Sequence, residues 1–376
     1  MAEDVLVIGA GPAGLASAYF LEANDISYRV VDWASVIAST WDSLYPSLRL
    51  NTTRFFSHLP GLRFPLHNGI FPTGRQYHRY LVRYARRNRF NIHLGVTVHH
   101  IQPEGDGWRV ESSEGSAWYR AVISATGRFN SPYIPSIPGM RDFDGTLIHA
   151  NDYRAPEPFI GKRVMVVGNG PSGCDIATEL GHYAASPVLF AQRTGVVLRP
   201  RYPYGLPKHV WMMIDEHVPL LRPLAKRAQA KAFRDLDKLG IKTPPPGLAS
   251  SAAGGARGWE LIKAVKAGNV QPVDAPVRFY AHEVEVQGGS RYPVDAVIMG
   301  TGYRPVLYQY FDYDGPTVEY DWPQRDCSQV PNGREVVGYP GLYLVGVFYQ
   351  GKGAMYNFAV EAQIAVEQIK ARLGQR

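Results

Sequence analysis

The chain has 376 residues, of which 45% are hydrophobic and 19% are charged. This composition excludes a disordered or fibrous protein, and the length is typical of two domains. Forty basic residues against 33 acidic ones give a formal net charge of +7, which favours anionic ligands such as phosphorylated cofactors. We expect small-molecule ligands and no nucleic-acid partner.

Cysteine and histidine usage limits the chemistry further. The two cysteines, Cys174 and Cys327, are too few for a disulfide framework and too far apart in sequence for a local redox pair, which predicts a reducing, cytoplasmic setting. No basic segment precedes the apolar run at Val5, and no stretch reaches the ~18 apolar residues of a membrane span. We therefore expect an unprocessed protein without an integral membrane segment. His99 and His100 are adjacent on a predicted strand and would face opposite sides, so no metal site is predicted.

The N-terminal segment has the pattern of a dinucleotide-binding unit. The β-branched run Val5–Ile8 breaks into Gly9-Ala-Gly-Pro-Ala-Gly14, and helix-forming residues follow. Gly9 allows the tight turn, Gly11 lets the backbone approach a pyrophosphate, and Gly14 allows close helix packing. A second apolar run ends in Asp32, 18 residues after the last glycine, where a carboxylate would hold ribose hydroxyls.

The same pattern recurs from residue 164, which predicts a second dinucleotide site. Val164–Val167 runs into Gly168-Asn-Gly-Pro-Ser-Gly173, followed by a helix to about residue 183 and a strand at 188–191. This second strand ends in Gln192-Arg193-Thr194 and has no carboxylate there. Because arginine and a hydroxyl bind a 2′-phosphate that a carboxylate would repel, NADPH is favoured over NADH. The alternative is an exposed surface arginine.

The remaining elements place these units in an α/β fold with parallel sheets and a small antiparallel meander. Thr73-Gly-Arg-Gln76 has capping-box spacing ahead of a helix that reaches about residue 88. Segments 92–101, 108–112 and 118–124 alternate like an antiparallel meander, and 294–299 reads as a buried strand. A last strand at 341–346 and a helix at 354–373 return to the first domain.

Two segments break the pattern. The proline-rich stretch 131–158 reads as an interdomain connection. Residues 200–257, with a helical stretch predicted from about 210 to 239 and Pro244-Pro-Pro246 after it, form an insertion or lid. We therefore predict a first domain from 1–157 and 298–376, with a second domain, 158–297, inserted into it.

Between the two glycine turns lies Phe143-x-Gly145-x-x-x-His149-x-x-x-Tyr153. This motif resembles the signature of the flavin-containing monooxygenases, and it lies where that family carries it. Ala125-Thr-Gly127 and the segment 300–305 resemble the family's two domain-linking segments. The tyrosine that ends the motif favours this branch over the related Baeyer-Villiger enzymes, which end it in tryptophan.

The resemblance implies two Rossmann-like domains that bind FAD and NADPH, and oxygen transfer from O2 through a C4a-(hydro)peroxyflavin to a small nitrogen or sulfur nucleophile. Asn51 matches an asparagine beside the flavin and is the predicted catalytic residue, Trp41 matches a tryptophan near the flavin ring, and His149 is expected to position NADP. The predicted cofactor-binding residues are Gly9, Gly11, Pro12, Ala13, Gly14, Asp32, Trp41, Val98, Ala125, Thr126, Gly127, His149, Tyr153, Gly168, Asn169, Gly170, Pro171, Ser172, Gly173, Arg193, Thr194, Gly302 and Tyr303.

Other functions remain open on the sequence alone. The alternatives are an NADPH oxidase that releases peroxide, a flavin-dependent reductase acting on a small partner, and a non-catalytic flavin-binding redox sensor. Neither cysteine looks like a redox thiol, which weighs against a disulfide reductase. The basic stretch around Arg222 to Arg234 is typical of a solvated helix face, with weak docking to a membrane or an acidic partner as the alternative. The oligomeric state is open, with a homodimer as one option.

Overall fold

The computed structural model describes residues 3–244, 256–318, 321–348 and 352–374, and the chain divides into two compact units. Unit 1 comprises Met1–Ser131 and Tyr303–Arg376, and unit 2 comprises Pro132–Gly302. The predicted domain boundaries after residues 157 and 297 differ from this division. The first differs because the strand Thr146–His149 pairs with Ala296–Met299 in the sheet of unit 2.

Unit 1 is built on a sheet whose central strands are buried runs of valine, isoleucine and leucine. Such runs favour parallel strands that are covered on both faces. In order across the sheet the described strands are β22 (Glu335–Val336), β23 (Tyr339–Leu344), β7 (Ala121–Ser124), β1 (Val5–Ile8), β2 (Tyr28–Asp32) and β3 (Ile92–Leu94). The edge strand β22 is antiparallel to β23, and the other neighbouring strands are parallel to each other.

Helices cover one face of this sheet: α1 (Pro12–Glu22), α3 (Gly74–Asn88) and α8 (Ala354–Leu373), with the short α2 (Ser39–Asp42) beside α3. The predicted capping box at the start of α3 is confirmed. The Gln76 N–H donates to the Thr73 hydroxyl at 3.2 Å, and the Thr73 N–H donates to the Gln76 side chain at 2.8 Å. The helix turns its tyrosines inward, with Tyr77 and Tyr84 fully buried.

An antiparallel meander packs on the other face through a core that includes Trp108 and Leu342. It is formed by β4 (Val98–Glu104), β5 (Gly107–Ser112) and β6 (Gly115–Tyr119). The prediction of a meander is confirmed, but its predicted ends were wrong. Residues 92–94 and 121–124 are strands of the parallel sheet, because strand alternation does not show which partner a strand pairs with. Unit 1 also contains the short strands β20 (Thr317–Val318) and β21 (Trp322–Pro323).

Unit 2 repeats the arrangement with a parallel sheet and one long insertion. In order across the sheet its described strands are β14 (Val270–Asp274), β11 (Val188–Gln192), β10 (Val164–Val167), β18 (Ala296–Met299) and β9 (Thr146–His149). Helices α4 (Pro171–Leu180) and α7 (Gly258–Lys266) pack together. A second antiparallel sheet is formed by β15 (Pro276–Phe279), β16 (Glu283–Val286) and β17 (Arg291–Pro293). The predicted α/β class with parallel sheets and an antiparallel meander is thus confirmed.

The insertion follows β11. Strand β12 (Leu198–Arg199) pairs with β13 (Ala256–Arg257), and two helices lie between them, α5 (Lys208–His217) and α6 (Arg222–Ala230). The helical stretch predicted from about 210 to 239 is not continuous. Pro219 separates α5 from α6, Pro223 lies in the first turn of α6, and α6 ends at residue 230. Residues 245–255 of the predicted insertion, including Pro245 and Pro246, lie outside the described residues.

Two short strands, β8 (Ser131–Pro132) and β19 (Tyr303–Arg304), lie where the chain passes between the units. Within the described ranges, no helix is long and apolar enough to cross a membrane.

Candidate functional site

The first glycine turn connects β1 to α1 in unit 1. Gly9 has a φ of +111°, and a β-carbon there would lie 2.7 Å from the Ala125 carbonyl oxygen. A β-carbon on Gly14 would lie 1.8 Å from the Gly9 carbonyl oxygen, so both positions require glycine for packing. Gly11 is different, because no atom lies within 4 Å of a β-carbon built there. The turn is therefore closed against the protein at its two ends and open to solvent at its centre.

Asp32 lies at the end of β2, next to this turn. Its Oδ2 accepts the Ala10 N–H at 2.7 Å and its Oδ1 accepts the Ala34 N–H at 2.9 Å. The side chain is only 8% exposed, and burial raises the pKa of its carboxyl above the ordinary value. Each carboxylate oxygen has a second lone pair, so Asp32 can still accept hydrogen bonds from hydroxyl groups of a ligand.

Helix α1 begins at this turn without a side-chain cap. Gly11 is its N-cap residue and Pro12 its first residue, so backbone N–H groups of the first turn lack intrahelical acceptors. Ala13 is buried, and a β-carbon on Gly346 would lie 2.7 Å from the Ala13 β-carbon. The loop that follows β23 therefore packs directly against the start of α1.

The second glycine turn, in unit 2, has the same geometry. Gly168 has a φ of +108°, and a β-carbon there would lie 2.2 Å from the Gly300 carbonyl oxygen. A β-carbon on Gly173 would lie 1.9 Å from the Gly168 carbonyl oxygen, whereas the space at Gly170 is open. The Asn169 Nδ2 is buried and has no hydrogen-bond partner among the described residues. Helix α4 begins with Pro171 and Ser172, again without a side-chain cap.

Gln192 occupies the position in unit 2 that Asp32 occupies in unit 1. Its Nε2 donates to the Gly240 carbonyl at 3.0 Å, and its Oε1 accepts the Lys242 N–H at 3.0 Å. This fully buried amide joins residues 240–242 of the insertion to β11, so it is not available to a ligand. Arg193 and Thr194, which follow it, are exposed.

These features fit a dinucleotide in each unit. A pyrophosphate needs close backbone approach and free N–H groups at a helix start, and both turns offer them at Gly11 and Gly170. A carboxylate next to the first turn suits a ribose with free hydroxyls, and an arginine next to the second suits a phosphorylated ribose. Both units therefore offer the groups that a dinucleotide needs, with a carboxylate beside the turn of unit 1 and an arginine beside that of unit 2.

The residues predicted beside the flavin ring lie in unit 1. Asn51 is exposed at a bend after the buried Leu50, and its amide forms no hydrogen bond with the described residues. Trp41, in α2, is half-buried and packs edge-on against Tyr77 with ring centroids 4.6 Å apart. Ala38, at the N-cap of α2, has a φ of +55°, a left-handed conformation that glycine adopts more easily.

The segment after β7 ends beside the first glycine turn. Ala125 is buried, and its N–H donates to the Ile8 carbonyl at 2.9 Å. The Thr126 carbonyl accepts the Asn130 side chain at 2.6 Å, and Gly127 has a φ of +71° with open space around it. Val98, the first residue of β4, is half-buried and pairs with Ser112 of the meander.

The motif from Phe143 to Tyr153 lies within unit 2 and is largely buried. Phe143 packs on Phe279 with ring centroids 5.6 Å apart, and a β-carbon on Gly145 would lie 2.4 Å from the Phe143 ring. The Tyr153 hydroxyl donates to Glu179 of α4 at 2.8 Å. The motif therefore fixes β9 and the following loop within the unit.

His149 has a defined tautomer. Its Nδ1 accepts the Asn151 N–H at 3.0 Å, so the proton is on Nε2, which donates to the Gly302 carbonyl at 3.0 Å. Burial lowers the pKa of the His149 imidazole below its ordinary value. His149 therefore fixes the backbone at Gly302, which has a φ of +90°. Tyr303, the next residue, packs edge-on against Phe129 with ring centroids 5.5 Å apart.

Sequence reasoning missed Glu361, a fully buried carboxylate in α8. Its Oε2 accepts the N–H groups of Gly346 at 2.9 Å, Val347 at 3.3 Å and Phe348 at 3.4 Å, and lies 3.7 Å from the Arg334 Nε. Burial raises the pKa of Glu361 to about 7, although Arg334 and the three N–H groups act to lower it. The one signal in the sequence was a glutamate among the apolar positions of a helix that was otherwise predicted to pack on the sheet. Glu361 fixes the loop that packs against Ala13.

The two cysteines do not form a redox pair. Cys174 is buried in α4, and burial raises the pKa of its thiol well above the ordinary value. Cys327 is exposed and lies in the other unit. No group of histidine, cysteine and carboxylate side chains in the described part of the chain could hold a metal ion.

Comparison with known proteins decides the family. A family model described as pyridine nucleotide-disulphide oxidoreductase matches residues 6–205. The probable indole-3-pyruvate monooxygenase YUCCA9 of Arabidopsis thaliana is 31% identical over 363 residues, which cover 92% of this chain and 84% of the relative. The chain belongs to the flavin monooxygenase family. It is accordingly a flavin-dependent monooxygenase, an oxidoreductase.

Solved structures have the same fold. The flavin-containing monooxygenase from Stenotrophomonas maltophilia is 25% identical, covers 100% of both chains and superposes with a TM-score of 0.75. The NADP+-bound cyclohexanone monooxygenase from Rhodococcus sp. Phi1 is 16% identical over 99% of this chain and 85% of its own, with a TM-score of 0.72. That second likeness concerns the fold of two Rossmann-like domains.

Proposed function

We propose that this flavin monooxygenase binds FAD at the Gly9–Gly14 turn and NADPH at the Gly168–Gly173 turn. The observation that carries the proposal is the repeated turn geometry, closed by backbone at both ends and open at Gly11 and Gly170. A single open glycine turn occurs in proteins that bind no dinucleotide. Two turns with the same closed and open positions in one chain support two dinucleotides.

Each turn would hold its cofactor with different groups. In unit 1, N–H groups at the start of α1 face a pyrophosphate, and Asp32 accepts hydrogen bonds from the ribose hydroxyls. In unit 2, the start of α4 does the same, and Arg193 with Thr194 binds the 2′-phosphate. Bound together, the cofactors supply hydride transfer from NADPH to FAD and the activation of O2.

Asn51 is the proposed catalytic residue. Its amide is exposed and uses none of its hydrogen-bonding capacity within the described chain, so it can bind the flavin edge and reacting oxygen without adding a charge. Trp41, held on Tyr77, would form an apolar wall that excludes water. His149 positions backbone and is not a proton-transfer group in this proposal, because both of its nitrogens are bonded within unit 2.

We propose a small soft nucleophile with a nitrogen or sulfur centre as the substrate, since such a group takes oxygen with little help from side chains. The titratable side chains His149 and Glu361 form hydrogen bonds with backbone groups of their own units, which fits a reaction that needs little acid or base catalysis. A 2-oxo acid is the second candidate, and the name of the 31% identical relative favours it. The free state of both cysteines supports a reducing, cytoplasmic setting.

The substrate classes are separated by the stoichiometry of NADPH, hydrogen peroxide and product. The purified enzyme with FAD is supplied in turn with a tertiary amine, a thioether and an aryl 2-oxo acid. The proposal predicts that the amine or the thioether lowers peroxide release and forms one oxide per NADPH. If only the 2-oxo acid gave product in proportion to the NADPH consumed, the second candidate would be established. If one hydrogen peroxide were released per NADPH with every compound, the enzyme would be an oxidase.

A further inference from the structure

The insertion of unit 2 exposes an unusual apolar surface at the turn between α5 and α6, which we call the helical apex, residues 216–224. Every residue of the apex is exposed. Leu220 is 89% exposed, Leu224 44%, Leu221 41% and Val218 38%. Clustered large apolar side chains in water mark an interaction surface, whereas isolated ones do not.

The inner face of the same helices shows that this exposure is not a gap in packing. Ala225 and Ala228 of α6 are buried against Trp211 and Ile214 of α5. The small side chains of α6 therefore form its core contacts, and its leucine points into solvent. A helix that served only to fold the insertion would place these residue types the other way round.

Basic residues surround the apex. Between residues 216 and 234 there are five basic residues and one acidic residue, Glu216. Lys226 and Arg227 are exposed on α6, and neither forms an ion pair with the described part of the chain. Arg222 lies 3.7 Å from the Asp215 carboxylate, with half of its side chain still exposed. The surface is thus apolar at its tip and positive along its side.

We propose that the helical apex docks on an anionic lipid surface. Leucines that enter the boundary between headgroups and acyl chains, flanked by cations that face lipid phosphates, have this arrangement in interfacial helices. A second copy of the chain fits less well, because two apices in contact would bring Lys226 and Arg227 of both copies together. Nucleic acid would use the cations but not the exposed leucines. Docking of this kind is peripheral and needs no membrane-spanning helix.

The test is co-sedimentation of the purified full-length protein with vesicles. One set contains phosphatidylcholine alone, and the other contains about one-third phosphatidylglycerol. The wild type should partition onto the anionic vesicles and stay in solution with the neutral ones. Lys226→Gln with Arg227→Gln should weaken that partition about 30-fold, because each basic residue near an anionic surface contributes about a factor of five. Leu220→Ser with Leu224→Ser should weaken it about tenfold or more.

Two control variants separate docking from general attraction of a positive protein. Arg86→Gln with Arg87→Gln removes two exposed charges from α3 in unit 1, and Leu66→Ser removes a leucine that is 75% exposed in that unit. Both should partition like the wild type. Equal losses in the control and apex variants, no binding to anionic vesicles, or apex-dependent dimers in sedimentation velocity would each overturn the proposal. NADPH oxidation without vesicles should be the same in all these variants, because none alters the candidate site.

Discussion

A β-carbon on Gly14 would lie 1.8 Å from the carbonyl oxygen of Gly9, closer than any real contact. The end of β1 and the first turn of α1 therefore touch backbone to backbone. Gly11 lies between these two glycines but has open space where a β-carbon would be. The glycines of this turn thus differ: Gly9 and Gly14 are required for packing, and Gly11 leaves space that a ligand could fill.

The first prediction separates these purposes. Gly14→Ala should lower the free energy of unfolding by at least about 3 kcal/mol, because its β-carbon meets rigid backbone. Gly11→Ala should leave the stability of the apoprotein within about 0.5 kcal/mol but weaken FAD binding about tenfold or more, because its methyl group enters the open space. Urea denaturation and FAD titration monitored by flavin fluorescence measure the two effects.

Gly170→Ala is the matched control for Gly11→Ala. It alters the equivalent open position in unit 2, so it should spare FAD binding and raise the KM for NADPH. If Gly170→Ala weakened FAD and Gly11→Ala did not, the assignment of the two cofactors to the two turns would be reversed.

The second prediction concerns the 2′-phosphate. Arg193→Ala should raise the KM for NADPH about 10- to 100-fold and leave the KM for NADH nearly unchanged, because it removes one charge-assisted hydrogen bond of about 1.5–3 kcal/mol. Steady-state kinetics with both nucleotides measure this ratio. Arg141→Ala, another exposed arginine of unit 2, should change neither value. Equal effects of Arg193→Ala on both nucleotides would remove this residue from phosphate recognition.

The third prediction is a pH dependence of stability from Glu361. Its pKa is raised to about 7 in the folded protein from an ordinary value of 4.5. The contribution of this group is therefore fully present below pH 4.5 and is lost as the pH rises to about 7. Glu361→Gln removes the titration and keeps an oxygen that can accept the N–H groups of residues 346–348. The difference in unfolding free energy between wild type and variant should therefore shift in favour of the variant as the pH rises through this range.

Glu367→Gln is the control, because Glu367 is exposed on the same helix, α8. Its difference from the wild type should not follow that curve. If the unfolding free energies of Glu361→Gln and the wild type differed by the same amount at every pH, the Glu361 carboxyl would not titrate in this range. FAD affinity provides a second measurement, because the loop that Glu361 holds packs against Ala13.

The fourth prediction concerns the charge of His149. Burial lowers its pKa below the ordinary 6.5, so its stabilising contribution is present above pH 6.5 and is lost as the pH falls through the lowered value. The pH dependence of stability from His149 is therefore opposite to that from Glu361: the first is lost as the pH falls, and the second as the pH rises. Nitrogen shifts of the labelled ring, assigned with a His149→Gln variant, should show an imidazole that is more than half neutral at pH 6.5, with the proton of the neutral form on Nε2. A ring that is half protonated or more at that pH would restore proton transfer as a role for His149.

Much of the fold could be predicted from the sequence, because its signals are local. The glycine turns, the capping box of Thr73 and Gln76 and the helix Ala354–Leu373 each depend on residues close together in the chain. The strands at 92–94 and 121–124 were assigned to the wrong sheet, because pairing joins residues far apart in sequence. The break between α5 and α6 was missed although Pro219 and Pro223 mark it.

The candidate site was predictable only in part. The two glycine turns and Asp32 could be predicted, because the spacing of these residue types is typical of a dinucleotide-binding unit. Glu361 was missed because its partners are backbone N–H groups of residues 346–348, and no side-chain pattern marks a backbone donor. The expectation that His149 positions NADP stays a prediction, and its hydrogen bond to the Gly302 carbonyl could not be predicted because the two residues are 153 positions apart in sequence.

The most direct test of the central claim is the fate of isotopically labelled O2. The enzyme with FAD and NADPH is allowed to turn over under labelled O2 with a substrate that lowers peroxide release, and the product is analysed by mass spectrometry. The account predicts one labelled oxygen atom per product molecule and one NADPH consumed, with Asn51→Ala retaining FAD but releasing peroxide in place of product. Unlabelled product, or complete recovery of the labelled oxygen as peroxide and water in the wild type, would contradict it.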